Sequence, residues 1–468
     1  MTKTLPFLYD YCFANMILPN AATSEMAMVN ILFSKYNPGF HYHSLFDKEK
    51  GSQTSALKKI FGNHYMDWAP VMRDNGPHLT NQCYHPFVNI VEDSVVFGKR
   101  KYEKYIYPIL LGPHSRLFLG IGQPGDKIQG EYFWKNISAD VLEDVRFGKA
   151  VILLDWAHEC LMTRDLYVQF HKILEGSGIP PRHIIFAHNS FNAVELYEKW
   201  FEPQERRLTV MDWPFLMFMI SHHFYTNPSY RLNLANFLKS KNTKREFYFL
   251  FKNRRAHTHR CAMTYLLYKE NLLDRADWSM LEKLEYERFA ANVHYHGVTV
   301  DPDTCRSLYQ HFPKQMSKED TAEFGNVHGW TDTNPGTSGL AYFEITTETL
   351  FTTPYRSTTE KICKPLVNFL PFLVIGPPGI LRQLRDLGYK TFAPFIDESY
   401  DEEEDHNLRL AKIAQEAKRL CEMNKDQLHD WYWSMEDILI HNHNKILEFH
   451  KHDPINLRLI DHLHNLIQ

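Results

Sequence analysis

Three stretches of this chain carry residue types whose spacing could do chemistry. The first is Lys252-Asn253-Arg254-Arg255, followed by His257, His259 and Arg260. It comes directly after an apolar, aromatic-rich run at 246–251 and just before a run with helical spacing. In a parallel α/β sheet, ligands bind beyond the carboxyl ends of the strands. A basic turn between strand and helix therefore suits a diphosphate. The helix start offers unpaired N–H groups and the positive end of its dipole, and arginine can grip two phosphate oxygens at once. Without that context the same run is a solvated basic turn.

The second stretch is Ser357-Thr358-Thr359-Glu360-Lys361. Its Ser-x-x-Glu spacing is that of a capping box, with Ser357 as N-cap and Glu360 reaching back. The same geometry offers a carboxylate that can accept from ribose hydroxyls, and beside it an ammonium that can neutralise phosphate. A strand ending near Glu348 would let Glu348 and Glu360 face one cleft. The third stretch is Gly376-Pro377-Pro378-Gly379. It reads as a sharp strand-to-helix connection whose glycines could also line a nucleotide pocket.

Other constellations say less. Among 26 histidines, His-x-His pairs include those at 41/43, 257/259, 294/296 and 441/443, none in a ligand frame with cysteine or a third histidine. Asp301-Pro-Asp303 has Asp-x-Asp spacing, but with proline inside it. No metal site is expected. Asp155, His158 and Glu159 follow an apolar run and could be ligands or acid–base groups, and the acids at 397–405 read as a solvated loop and helix start. There is no Walker motif and no nucleophile elbow.

The elements that would position these residues are legible in part. Continuous apolar runs at 105–122, 150–155 and 183–187, and a shorter one at 207–211, read as strands, with a helix at about 160–175. The second half gives a strand at 246–251, a helix at 257–273 and a long loop region at 300–340. After these come a strand at 342–348, a helix at 358–369, a strand at 371–375 and a short helix to Leu387. Two long polar helices, about 402–423 and 426–450, close the chain. Apolar strands alternating with helices specify a parallel sheet covered on both faces. The expected fold is α/β, with two Rossmann-like domains. They span 1–241 and 242–425, and a helical segment at 426–468 packs across them. Residues 1–100 show only weak periodicity.

The bulk properties agree. At 468 residues the chain is too long for one ordinary core. A 44% hydrophobic and 14% aromatic composition excludes wholesale disorder, and a net charge of −4 excludes attachment to nucleic acid by overall charge. Seven scattered cysteines without a Cys-x-x-Cys pair predict reduced thiols in a cytoplasmic protein. No signal peptide and no membrane span are expected.

Thr358-Thr359-Glu360-Lys361, then a helix, then Pro371-Phe372-Leu373-Val374-Ile375-Gly376, resembles the donor-site segment of alpha-1,3-fucosyltransferases and related GT-B glycosyltransferases. The segment Asn253-Arg254-Arg255 through His259-Arg260, and that at 387–392, resemble glycosyltransferase-like proteins often encoded by tailed phages. The resemblance covers roughly residues 245–410. It departs after Lys361, where Cys363-Lys364-Pro365 replaces an Asn-containing stretch, so it does not carry fucose as the sugar.

The resemblance implies a GT-B enzyme with a nucleotide-sugar co-substrate and no other cofactor. Donor-site residues carried over or placed beside the motif are Asn253, Arg254, Arg255, Glu348, Glu360 and Lys361. A first-domain carboxylate, Glu159 or Asp155, with Glu131 as another candidate, would be the general base toward an acceptor hydroxyl. The acceptor would be a glycan or, in a phage setting and a host cytoplasm, a hydroxymethylated DNA base. In the latter case Lys99-Arg100-Lys101 would form part of a basic groove. A non-catalytic virion or nucleic-acid-binding protein that kept the fold is the alternative from another class.

Overall fold

A computed structural model of the chain describes residues 3–9, 88–94, 99, 101–110, 137, 139–156, 163–317, 335–451 and 454–468. The chain divides into two compact units, one of residues 1–215 with 453–468 and one of residues 216–452. Each is a Rossmann-like α/β unit built on its own parallel sheet.

The first sheet contains β1 (Lys3–Tyr9), β2 (Val88–Ser94), β3 (Tyr105–Leu110), β4 (Ala150–Trp156), β5 (Ile184–His188) and β6 (Thr209–Asp212), in the order β2-β1-β3-β4-β5-β6. Every neighbouring pair is parallel. The described apolar residues of β4 and all five residues of β5 are buried, as expected of strands covered on both faces. The helices α1 (Ala139–Arg146), α2 (Arg164–Leu174) and α3 (Ala193–Trp200) accompany it. Asp212, at the end of β6, fixes the start of α3 by accepting from the amides of Ala193 (2.5 Å) and Val194 (3.3 Å). The tight return from α1 into β4 runs through Gly148 at φ 73°, where a Cβ would stand 3.2 Å from the His183 ring. The strand order reverses between β1 and β3, which places this unit's crevice at the ends of those two strands. The last helix of the chain, Pro454–Ile467, lies against β1, β3, β4 and β6.

The second unit opens with α4 (Phe215–Thr226) and α5 (Leu234–Lys239). Then come β7 (Phe247–Asn253), α6 (Thr258–Lys269), β8 (Ala276–Met280), α7 (Tyr286–His294), α8 (Pro302–Tyr309), α9 (Pro335–Ser338), β9 (Ala341–Thr347), α10 (Glu360–Val367), β10 (Phe372–Ile375) and α11 (Ile380–Asp386). The helices α12 (His406–Glu422), α13 (Lys425–Trp433) and α14 (Glu436–Glu448) follow. The sheet order is β10-β9-β7-β8, again all parallel. All seven residues of β9 and all four of β10 are buried.

Several elements differ from the sequence pattern. The units part after Phe215, not near 241, because residues 216–241 pack into the second core. There Phe237 stacks between Phe369 (4.2 Å) and Trp433 (4.9 Å), and Asn368 Oδ1 accepts from the Leu232 amide at 2.8 Å. The 300–340 region contains α8 and α9, with Asp301 as the α8 N-cap accepting from the Thr304 amide (2.8 Å). The second closing helix is broken in two at Ser434, so that three helices close the second unit. Asn424 and Gln427 form a capping box at the start of α13. Among the described residues no helix is long and apolar enough to cross a membrane.

Truncating Phe237 would open a cavity in this aromatic stack. Phe237→Ala is expected to lower stability by about 3–5 kcal/mol in urea unfolding, the range for burying and then deleting a phenyl ring. A loss below about 1 kcal/mol would mean residues 216–241 are not part of the second core.

Candidate functional site

In the second sheet β7 connects to β8 on one side, after which the chain returns to β9 on the other. The order therefore reverses between β7 and β9, where a doubly wound sheet opens a crevice. Four of the residues singled out in the sequence meet there: Asn253 ends β7, Glu348 follows β9, and Glu360 and Lys361 open α10. The start of α6, from His257 to Arg260, borders the same crevice.

Glu348 ties these parts together. It is 1% exposed. Its carboxylate accepts from the Thr359 amide (3.1 Å) and the Thr359 hydroxyl (2.5 Å). Its own amide donates to the Ile375 carbonyl at 2.9 Å. Its carbonyl accepts from His259 Nε2 (3.0 Å) and Arg260 Nη2 (3.3 Å). A carbonyl can only accept, so His259 carries its proton on Nε2. Burial, with the Arg260 charge second, holds that imidazole neutral.

Ser357 is not the N-cap of α10, and no capping box with Glu360 forms. The helix starts later, at Glu360, with Thr359 as N-cap, its hydroxyl accepting from the Lys361 amide at 3.3 Å. The partner that a Glu360 side chain would have supplied is Glu348, arriving from the preceding strand. Glu360 is thereby free to pair with Lys361, whose Nζ lies 2.8 Å from Glu360 Oε1 and 3.2 Å from the Thr359 hydroxyl. Burial opposes the charge on Glu360, but the ammoniums of Lys361 and Lys364 outweigh it and hold this carboxyl below its ordinary range. Burial likewise opposes the charge on Lys361, and Glu360 and Glu348 outweigh it, so the amine stays protonated. The side chains of Glu360 and Lys361 remain 15% and 26% exposed, so the pair is reachable from solvent.

The basic run behaves differently from expectation. Lys252 and Asn253 belong to β7 itself and not to the loop after it. Arg254 and Arg255 are exposed, and Arg255 pairs with Glu282 at 3.6 Å. The guanidinium that enters the crevice is that of Arg260, one turn into α6, where it donates to the carbonyls of Arg255, Thr347 and Glu348, each at 3.3 Å. Its charge acts on both Lys361 and His257. Burial first, then that charge, pushes His257 down to about 4. The sequence pattern includes Arg260 in the same stretch but gives the phosphate to the adjacent pair at 254–255. The signal was present: Arg260 sits on the helix, where 3.6-residue spacing turns it back over the sheet, whereas a turn residue points outward.

Asn253 is 2% exposed, and its Oδ1 accepts from the Thr347 hydroxyl at 2.7 Å. The Gly376-Pro377-Pro378-Gly379 turn serves as a strand-to-helix connection. Gly379 takes φ 76°, and the α11 start is filled by Asp401, whose carboxylate accepts from the amides of Leu381 (2.8 Å) and Arg382 (2.9 Å). In the first unit the backbone of Asp155 is at the carboxyl end of β4, beside Ala187 of β5. Glu159, His158 and Glu131 lie outside the described residues. Among the described residues no cluster of three or more His, Cys, Asp or Glu is arranged to hold a metal ion.

No family model and no curated protein matches the sequence. Among solved structures, the chain is similar to an alpha,alpha-trehalose-phosphate synthase (UDP-forming) from Burkholderia vietnamiensis. That match has a TM-score of 0.37 and 9% identity, over 93% of this chain and 82% of that one. An alpha,alpha-trehalose 6-phosphate synthase from Burkholderia multivorans gives a TM-score of 0.37 and 6% identity over the same shares, 93% and 82%. Likeness at this level transfers neither a residue nor an activity to this chain.

Burial, the largest influence on Glu348, raises its carboxyl above the ordinary value of 4.5. The folded chain thus holds this proton more tightly than the unfolded chain does. The contribution is fully present below pH 4.5 and is lost as pH rises through the raised value. The stability of the wild type relative to Glu348→Gln is therefore expected to fall as pH climbs from 4.5, in paired denaturation curves. A difference that grows with pH would mean that the Lys361 charge, not burial, governs this group.

Proposed function

We propose that the second unit binds the diphosphate of a nucleotide sugar in the β7/β9 crevice, and that the chain is a glycosyltransferase of GT-B type. The observation that carries this reading is the convergence of two helix starts with Arg260 and Lys361 at the sheet's switch point. Helix starts attract anions, and switch points are where doubly wound sheets take nucleotides. A carboxylate has about four lone-pair sites, and hydrogen bonds to Thr359 use two of those on Glu348. The rest of Glu348, and Glu360, can accept from ribose hydroxyls. As the bond to the sugar breaks, the leaving diphosphate gains negative charge, which Arg260 and Lys361 stabilise without reorganising. This is the role a metal ion fills in other transferases, so the proposal requires none.

The first unit is assigned the acceptor. In this reading a carboxylate of this unit, Asp155 at the carboxyl end of β4 or Glu159 farther along the chain, deprotonates the acceptor hydroxyl. A glycan acceptor is favoured over DNA by one observation. Lys99, which would belong to a DNA-facing groove, is already engaged by Asp144 (2.5 Å) and Asp140 (3.2 Å).

The test is a thermal-shift panel of UDP-, GDP-, ADP- and CMP-sugars, followed by titration of the one that binds. Lys361→Ala and Arg260→Ala are each expected to weaken binding roughly tenfold to a hundredfold, the loss of a charge-assisted contact. Absence of a shift with all four nucleotides would remove the reading. Unchanged affinity in both variants would place the diphosphate elsewhere.

A further inference from the structure

One face of the second sheet carries charged and polar side chains where a helix-covered sheet should be apolar. Side chains alternate between faces, and partners across a parallel pair share one. Leu250 pairs with Glu344, so Lys252 and Thr346 point to the same side as Glu344. Lys252 Nζ lies 3.5 Å from Glu344 Oε2. From α10, Lys364 joins them: it is depressed by burial first, and it feels the charges of Glu360, Lys252, Lys361 and Glu344. Two lysines and a glutamate thus share the space under α10, next to the Glu360–Lys361 pair.

This arrangement is expensive as pure architecture. Buried ion pairs recover their desolvation cost only when every remaining polar atom is also satisfied. Here they are not. The Thr346 hydroxyl has no hydrogen-bond partner, and Glu344 Oε2 has only the Lys252 ammonium, at 3.5 Å; the two residues are 2% and 4% exposed. Buried polar atoms of this kind call for a ligand or an ordered water. The chemistry narrows the ligand. A second phosphate or an acidic sugar would meet Glu344, and a cationic sugar would meet Lys252 and Lys364. An apolar group would leave every atom as it is. A ring of neutral hydroxyls, each able to donate to a carboxylate and accept from an ammonium, satisfies the whole set.

We propose that Glu344, Thr346 and Lys252 form the subsite for the sugar ring of the donor, and that this sugar is uncharged. The inference rests on the nucleotide-sugar reading above. The distance is suitable: Thr346 is two residues before Glu348 along β9, about 7 Å at strand rise. A pyranose attached to a diphosphate beside Lys361 spans that gap.

The experiment compares the full-length wild type with Thr346→Val and Glu344→Gln by calorimetry, using three probe pairs: UDP-glucose with UDP, GDP-mannose with GDP, and ADP-glucose with ADP. The quantity read is the ratio of the Kd for the sugar nucleotide to that for its diphosphate. Each variant should raise this ratio by about fivefold to tenfold for the pair that binds, with diphosphate affinity unchanged. Thr346→Val keeps the side-chain shape and keeps the result readable should Glu344→Gln unfold. A ratio unchanged in Thr346→Val overturns the subsite, as does equal loss of diphosphate and sugar nucleotide, the mark of a purely structural role. Both of those outcomes leave the nucleotide site standing. A wild type that binds diphosphate but no sugar nucleotide also overturns the subsite alone. A wild type that binds neither overturns the nucleotide reading together with this one.

Discussion

The second unit depends on what Glu348 holds together. Within one residue, a buried amide closes onto β10, a carbonyl receives His259 and Arg260 from α6, and a carboxylate seats Thr359, the N-cap of α10. These three attachments involve two strands and two helices that are far apart in sequence. A carboxylate at a helix start is favourable because it meets unpaired N–H groups and the positive dipole end. Here that benefit counters only part of the cost of burying the charge, and burial still raises this carboxyl above its ordinary value. Gly376 shows how closely the surroundings are fitted: a Cβ there would approach Ile380 at 3.2 Å and Glu348 at 3.7 Å.

The consequence for chemistry is an alternation of sign. Arg260, Lys361 and Lys364 are interleaved with Glu348, Glu360 and Glu344, so no single-sign field builds up. The Lys361 tip is held by Glu360, and that of Lys252 lies 3.5 Å from Glu344. Rotamers fixed in this way lose little further freedom when a ligand arrives, which is the general route to preorganised binding. The neutral imidazoles of His257 and His259 add polar surface without charge near neutral pH.

The sequence made the second unit legible in outline because its strands are short, continuous apolar runs punctuated by glycine and proline, as at 371–379. It also brought Asn253, Glu348, Glu360 and Lys361 to one place. Four things were hidden. The helix cap was misplaced because Ser357 and Thr359 are equally good capping residues by type, and only the long-range arrival of Glu348 selects between them. Arg260 was outranked by two arginines in a turn, since composition does not reveal which guanidinium faces inward. The unit boundary was missed because Phe237 of α5 belongs to a core completed by Phe369 and Trp433, more than a hundred residues later. β8, Ala276–Met280, escaped because Asp277 and Ser279 interrupt the apolar pattern that marks a buried strand.

The path of the chain between the units has a temporal meaning. The first unit draws its sheet from the beginning of the chain and one of its helices, Pro454–Ile467, from the very end. The second unit is a single uninterrupted stretch between them. During synthesis every residue of the second unit has been made before the first unit's last helix exists, so the middle of the protein can mature ahead of its amino-terminal part. Loss of a few residues at the carboxyl end would accordingly wound the sheet that contains β1, at the opposite end of the sequence, and leave the crevice around Glu348 to be judged on its own.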